Sequence, residues 1–299
     1  MKFQIIVSCL LWIIPAMVQA NPCKANFTTL ALKTLKKDNF VIESPEQRNQ
    51  TALRLLTCLG DPDPKVRDGL VYEAISHWLR NASLSDSTVK SMFELLIDKL
   101  QQPSVDPLKF TQPFAALVLS EVLRVDRITP YLLDTERQKA IEVSTSYMSH
   151  IKDYRGFDDK QGWRHGVAHT ADIFLQLSLN SKITKAQLNQ LLEGIKSQVS
   201  PQNSHFYIYG EPKRLAMPFM YIALRGEHSL KELSSFLETV IDPMPYENWQ
   251  SVYQSNQGLA KLHNTRHFIY SILALSEQSE NPTIKALKPK LVELIQTLG

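Results

Sequence analysis

The chain has 299 residues, 43% hydrophobic and 21% charged, which is enough apolar material for a large buried core. Ten glycines against sixteen prolines, with few β-branched runs, argue against sandwiches, barrels and Gly-rich phosphate-binding α/β folds. Lys+Arg 33 against Asp+Glu 30 leaves a formal charge of +3, too small and scattered for a nucleic-acid surface, so no nucleic-acid partner is expected.

The N-terminus has the pattern of a signal peptide over residues 1–20. Lys2 supplies a positive charge, Ile5 to Ile14 is apolar, Pro15 breaks the run, and Val18-Gln19-Ala20 offers small residues for a peptidase. The run is too short to span a membrane, and no later stretch approaches ~20 apolar residues. Cys9 lies inside the apolar run without the small-residue box of a lipidated cysteine. An exported mature chain, Asn21 to Gly299, is therefore expected, periplasmic or secreted, with no integral membrane segment after cleavage.

Cleavage leaves Cys23 and Cys58, an even pair in an oxidising compartment, and a bridge between them is expected. The alternative is two free buried thiols. Sequons at Asn26, Asn49 and Asn81 matter only where a host glycosylates secreted proteins.

Residues 21–44 read as an N-terminal extension and 45–299 as one helical domain. Thr51–Leu59, Val71–Leu79, Val89–Leu100 and Phe114–Leu123 carry apolar residues at i, i+3, i+4 spacing. Asp63-Pro64, Thr129-Pro130 and Asn281-Pro282 each place a capping side chain before a proline, predicting helix starts. The strand alternation is confined to Phe206–Tyr209. The prediction is all-α: about a dozen helices stacked as pairs in an α-solenoid or α/α superhelix. Asp61 to Leu70 has the form of a HEAT-type turn, in which the Asp caps a helix and Arg67 pairs with a neighbouring repeat.

Three later segments carry the chemistry. In the first, Tyr154 to Phe174, a helix running from Gly162 would bring His165, His169, Asp172 and Gln176 within about 60° of one another. Apolar residues flank this narrow stripe, as in a pocket wall. Histidines at i, i+4 can share a metal ion with Asp172 as third ligand, so His165, His169 and Asp172 are the metal candidates. The alternative is that the histidines bond a neighbouring helix, and no H-E-x-x-H marks a hydrolytic zinc site.

In the second segment, His205 to Ala216, Glu211 and Arg214 stand three apart at a helix start, which is also the spacing of a local ion pair. Tyr207 and Tyr209 could equally be core aromatics with wet tips. In the third, His263, His267 and Tyr270 repeat the i, i+4, i+7 stripe, suggesting helices that face a common cavity. No serine sits on a nucleophile elbow, and the sequence has no G-x-x-x-x-G-K-[ST], G-x-G-x-x-G, G-x-S-x-G or C-x-x-C motif.

At these segments the chain resembles the DUF2785 family of bacterial helical proteins, over roughly Pro45 to Glu277. The sharpest signature is Arg155-Gly156-aromatic followed by Gly162-Trp163-x-His165-x-x-Ala168-His169-x-Ala171-Asp172. Asp63–Asp68, Phe114–Leu119, Glu211 with Arg214-Leu215-Ala216, and Asn264 with Phe268-Ile269-Tyr270 support it. Pro212 stands where the family pattern carries an acidic residue, so no paired-acid role passes to this loop. The resemblance implies an armadillo-like or HEAT-like α/α fold and no particular reaction.

Two functions remain open. One is an exported binding scaffold that holds a polar ligand or a protein through Arg155, Trp163, His165, His169, Asp172, Glu211, Arg214, Asn264 and His267. The other is a hydrolase of cell-envelope or extracellular substrates, with a divalent metal on His165, His169 and Asp172 and with Glu211 as general base. In that case Asp172 would bind the metal or orient a histidine, and Arg214 would hold an anionic substrate group.

Overall fold

The computed structural model describes residues 22–103, 106–201 and 203–299; the expected signal peptide lies outside the described residues. Most helix starts follow from cap chemistry. After α1 (Pro22–Asn26) and α2 (Thr29–Lys37), the Ser44 hydroxyl accepts the Gln47 N–H to open α3 (Pro45–Leu55). A 3₁₀ turn follows, and Cys58 within it stands at disulfide distance from Cys23, S–S 2.10 Å. That bridge closes a loop of sequence separation 35, stabilising by about 3–4 kcal/mol in the chain-entropy account. Asp63 caps α4 (Pro64–Val66) through the Lys65 N–H, and the helix continues through a π turn, Arg67–Tyr72, into α5 (Glu73–Arg80).

Ser85 caps α6 (Asp86–Gln101), and α7 (Thr111–Ile128) and α8 (Asp134–His150) follow. A two-stranded antiparallel hairpin, β1 (Phe157–Asp158) with β2 (Gly162–Trp163), leads into α9 (Gly166–Ser178). Capping boxes, Thr184 with Gln187 and Ser229 with Glu232, open α10 (Lys185–Val199) and α12 (Leu230–Val240). Between them lies α11 (Glu211–Leu224); Ser255 then caps α13 (Asn256–Glu277), and Asn281 caps α14 (Pro282–Leu298).

The fold is all-α, with that hairpin the only sheet among the described residues. Helices pack in two rows. One runs α5, α7, α9, α11, α13, and the other α6, α8, α10, α12, α14. The α7–α9 contact is the most extensive, because Ala115 and Ala116 on α7 and Ala168 and Ala171 on α9 are all buried and let the backbones approach. Each helix from α7 to α13 in the first row adds a buried phenylalanine, Phe114, Phe174, Phe219 and Phe268, each worth about 1.5–3 kcal/mol of burial. Among the described residues no helix is long and apolar enough to cross a membrane.

Three local expectations are corrected. Thr129 ends α7 instead of starting a helix, because the Asp126 carboxylate takes the N–H groups of Tyr131 and Leu132 and holds the turn open until Asp134. Gly162 belongs to the hairpin, and α9 begins only at Gly166. Phe206–Tyr209 runs without strand pairing, and the strands form at 157–163 instead.

Candidate functional site

The Arg155–Asp172 signature is one structural unit, a hairpin that delivers His165 to the start of α9. The Asp158 carboxylate accepts the N–H groups of Lys160 and Gln161, making the turn, and Gly162 takes the left-handed φ of 71° that closes it. Arg67 fastens the hairpin to the helices. Its guanidinium, fully buried against the rings of Phe110 and Phe114, donates to the carbonyls of Asp61, Gln161 and Trp163 at 2.9, 2.8 and 3.3 Å. Its remaining charge is met by Asp68 at 2.8 Å. The backbone N–H groups of Arg164 and His165 donate to the carbonyls of Gly156 and Arg155.

His165 itself is held at φ 57°, ψ 40°, a left-handed conformation uncommon for a side-chain-bearing residue. Its imidazole is buried beneath Trp163, stacked at 4.8 Å and 22°, with the His169 and Tyr209 rings at its edges. Its Nε2 has no hydrogen-bond partner. The nearest carboxylate oxygen, Glu211 Oε1, lies 3.7 Å away, which is beyond a hydrogen bond.

Burial, and then the charge of Arg214, bring the His165 pKa down to about 4, while hydrogen bonding to the Tyr209 backbone pulls weakly the other way. Burial pushes the Glu211 carboxyl upward, partly offset by backbone N–H groups, including the Tyr209 N–H at 3.0 Å. The two groups therefore face each other as a neutral imidazole and a carboxyl biased toward its protonated form, instead of as an ion pair. His169 donates its Nδ1 proton to the Pro113 carbonyl at 3.0 Å, which leaves Nε2 as a lone pair. Burial, followed by the proximity of His165 and Arg214, lowers its pKa to about 3.

One turn further along both helices, Arg214 of α11 crosses to Asp172 of α9 through two nitrogens, with Nε at 2.8 Å from Oδ1. Glu211 and Arg214 are thus not a local pair: Arg214 is committed to α9, while Glu211 accepts the Tyr209 N–H of its own segment. Burial raises the Asp172 carboxyl despite the Arg214 charge. Beyond it, Glu121 of α7 accepts from Arg80 and from the Tyr72 hydroxyl at 3.1 Å, and its charge reaches Asp172. Tyr72, Arg80 and Glu121 were not among the expected site residues. A usable signal was an acidic residue alone in the apolar run Phe114–Leu123, which must find a partner if buried.

The remaining expected residues lie elsewhere. Asn264 is fully buried, and its amide clamps the segment before Glu211, accepting the Tyr207 N–H at 2.8 Å and donating to the His205 carbonyl at 2.9 Å. His263 donates to the Tyr207 carbonyl, so α13 positions Tyr209 and Glu211 from behind. His267 lies tilted against His263 and by Tyr270, on the exposed face of α13. Arg155 pairs with Asp153 and lines a separate cavity bordered by the hairpin. Gly156 is what lets Tyr209 stand between the two, since a Cβ there would come within 2.0 Å of the Tyr209 ring.

The site brings together Trp163, His165, His169, Asp172, Glu211 and Arg214. Its polar groups do not form a chelate: among the described residues no group of three or more His, Cys, Asp or Glu side chains is placed to hold a metal ion. The expected trio is divided, because Arg214 takes Asp172 and only the two imidazoles, 5.8 Å apart at their centroids, adjoin each other. The arrangement can donate and accept hydrogen bonds at one buried point, with an aromatic face and an arginine beside it.

The sequence model of one family, described as a protein of unknown function, DUF2785, matches residues 74–274, the stretch from α5 into α13 that contains the whole cluster. No curated protein and no solved structure matches the chain.

Proposed function

We propose that this chain, which belongs to the DUF2785 family, is an exported binding protein that holds a hydroxyl-bearing polar ligand between α9 and α11. The observation that carries this reading is the His165 Nε2, buried, without a partner and 3.7 Å from the buried Glu211 carboxyl. A buried polar atom without a partner costs about 1–3 kcal/mol, and a ligand hydroxyl bonded to both groups would recover it. Trp163, 37% exposed, offers a face for a ring, and the half-exposed Arg214 offers a charge for an anionic substituent. The two helix rows support a helix-pair solenoid whose α5–α13 row bears the site. The Cys23–Cys58 pair supports an oxidising compartment.

A second reading, a hydrolase of cell-envelope or extracellular substrates, draws on the same pair: a carboxyl raised by burial beside a neutral imidazole suits proton transfer. If a divalent metal were held by His165 and His169, its other positions would have to be filled from outside this cluster.

Titrating the protein with glucose, N-acetylglucosamine and maltose while following Trp163 fluorescence tests the binding reading. At least one sugar should shift the emission saturably, and Glu211→Gln should weaken its binding at least tenfold. No response to any of the three, or a response that Glu211→Gln leaves unchanged, would overturn it. Turnover of a bound disaccharide by the wild type, lost in Glu211→Gln, would select the hydrolase.

A further inference from the structure

The hairpin also borders an open cavity of about 800 Å³ whose lining includes Tyr209 and neither Trp163 nor His165. Four cationic side chains line it, Lys109, Lys152, Arg155 and Arg164, against two carboxylates, Asp153 and Asp158. The Asp106 carboxylate just outside the lining also acts on Arg155 and Arg164, so four cations face three carboxylates and one positive charge is in excess. Burial pulls the neighbouring His205 toward its neutral form.

The cations are placed by the fold. The Asp106 carboxylate accepts the N–H groups of Leu108, Phe110 and Thr111, building a tight loop in which Lys109 takes a left-handed φ of 60°. Arg155 and Arg164 both donate to one acceptor, the Leu108 carbonyl, at 3.5 and 3.0 Å, so two guanidinium groups converge on a single oxygen. Arg164 is correspondingly harder to protonate, through burial and then the charge of Arg155. Asp153 offsets Arg155, and Asp158 is engaged by the turn. Among the described residues, the ammonium groups of Lys109 and Lys152 have neither a hydrogen-bond nor an ion-pair partner.

The carboxylates serve the two arginines, so the net positive charge rests on the two unpaired lysines, where an anion would offset it. The lining also has an apolar side. Tyr209 stands in the wall, and Phe157 and Ile208, 44% and 68% exposed, lie at the same cavity. A bare inorganic anion would leave those surfaces uncovered.

We propose that this cavity is a second binding site, for a small ligand that carries a phosphate or carboxylate on a sugar-sized ring, with Lys109 and Lys152 as its main charge contacts. The site does not rest on the His165 reading: its charged side chains are different ones, and Tyr209 borders both.

Calorimetric titration with glucose 6-phosphate, glucuronic acid, glucose and inorganic phosphate tests it. The expected result is that at least one ring-bearing anion binds at least tenfold tighter than glucose and than inorganic phosphate. The tighter of the two anionic sugars identifies phosphate or carboxylate as the group recognised. Lys109→Gln/Lys152→Gln should erase the gain over glucose while leaving the melting temperature and any affinity for glucose itself unchanged, which separates this site from the one at His165. Raising the ionic strength should weaken binding of the anionic sugars alone. Equal affinity for glucose, equal affinity for inorganic phosphate, no binding of either anionic sugar, or an unchanged gain in the double variant would each overturn the proposal.

Discussion

Two buried polar clusters in this molecule have opposite character. At the first, Asp126 is wholly buried and every lone pair is used. It accepts the N–H groups of Tyr131 and Leu132, two nitrogens of Arg137 and the Asn180 amide, all within 2.8–3.0 Å. Burial alone would raise its pKa, but Arg137 and the backbone donors together hold it below the ordinary carboxylate range. At the second, His165 and Glu211 are also buried, yet they stop short of a hydrogen bond with each other and are both shifted toward their uncharged forms. The first cluster ties the end of α7 to α8 and to the chain after α9. The second makes no hydrogen bond between His165 and Glu211, and a strained backbone at His165 holds it in place. A saturated cluster specifies the architecture; an unsaturated one, held by the same architecture, marks where something else binds.

The sharpest way to break this contrast is to remove one acceptor from each cluster. Asp126→Asn leaves the buried Arg137 with only the exposed Asp134 as counter-charge and should cost about 3 kcal/mol, read as a fall in the urea midpoint at unchanged slope. Gly156→Ala attacks the wall between the two sites, where the new Cβ would collide with the Tyr209 ring. It should cost about 1–3 kcal/mol in the same measurement and weaken sugar binding at His165 as well. Glu211→Gln keeps an oxygen for the Tyr209 N–H and removes only the cost of ionising a buried group. Its urea-derived stability at pH 7 should match the wild type or exceed it by up to about 1 kcal/mol.

The smallest effect concerns acid. A histidine whose folded pKa is depressed stabilises the fold above its unfolded value near 6.5, and that stability is lost as pH falls toward about 4. His165→Asn, whose side chain tolerates the left-handed backbone, should be within about 1 kcal/mol of wild type at pH 7. The loss of stability between pH 6.5 and 4 should be shallower in this variant than in the wild type. The shift at Glu211 has the opposite sign, adding stability as pH falls, so Glu211→Gln should steepen the same limb.

Local signals in the sequence were reliable where local chemistry decides the outcome. Asp63-Pro64 and Asn281-Pro282 do start helices, because their side chains need only the next N–H groups. Thr129-Pro130 fails for a long-range reason: Asp126 is fixed by Arg137 eleven residues on and by Asn180 beyond α9, and it takes the N–H groups a new helix would need. The hairpin at 157–163 was hidden for the same reason, since Arg67, 94 residues before Gln161, holds its carbonyls. At the candidate site the His165/His169/Asp172 spacing was legible, but the fold joins only the two imidazoles, with His165 at the cap and not on the helix, and gives Asp172 to Arg214. The partnership of Arg214 with Asp172 was not legible, because a three-residue spacing to Glu211 offered a nearer answer. Tyr72, Arg80 and Glu121 meet only once α5 and α7 pack, and no spacing in the chain reports that contact.

The central claim, that His165 stays neutral with its Nε2 unpartnered instead of forming a buried ion pair with Glu211, is open to one direct measurement. The His165 ring proton can be followed by NMR from pH 8 to pH 3, with His165→Asn to assign it. The imidazole should stay neutral through the physiological range and titrate near pH 4. A midpoint at or above 6.5 would mean that an ionised Glu211 stabilises the imidazolium, and the pair would then be a structural salt bridge with nothing left to offer a ligand.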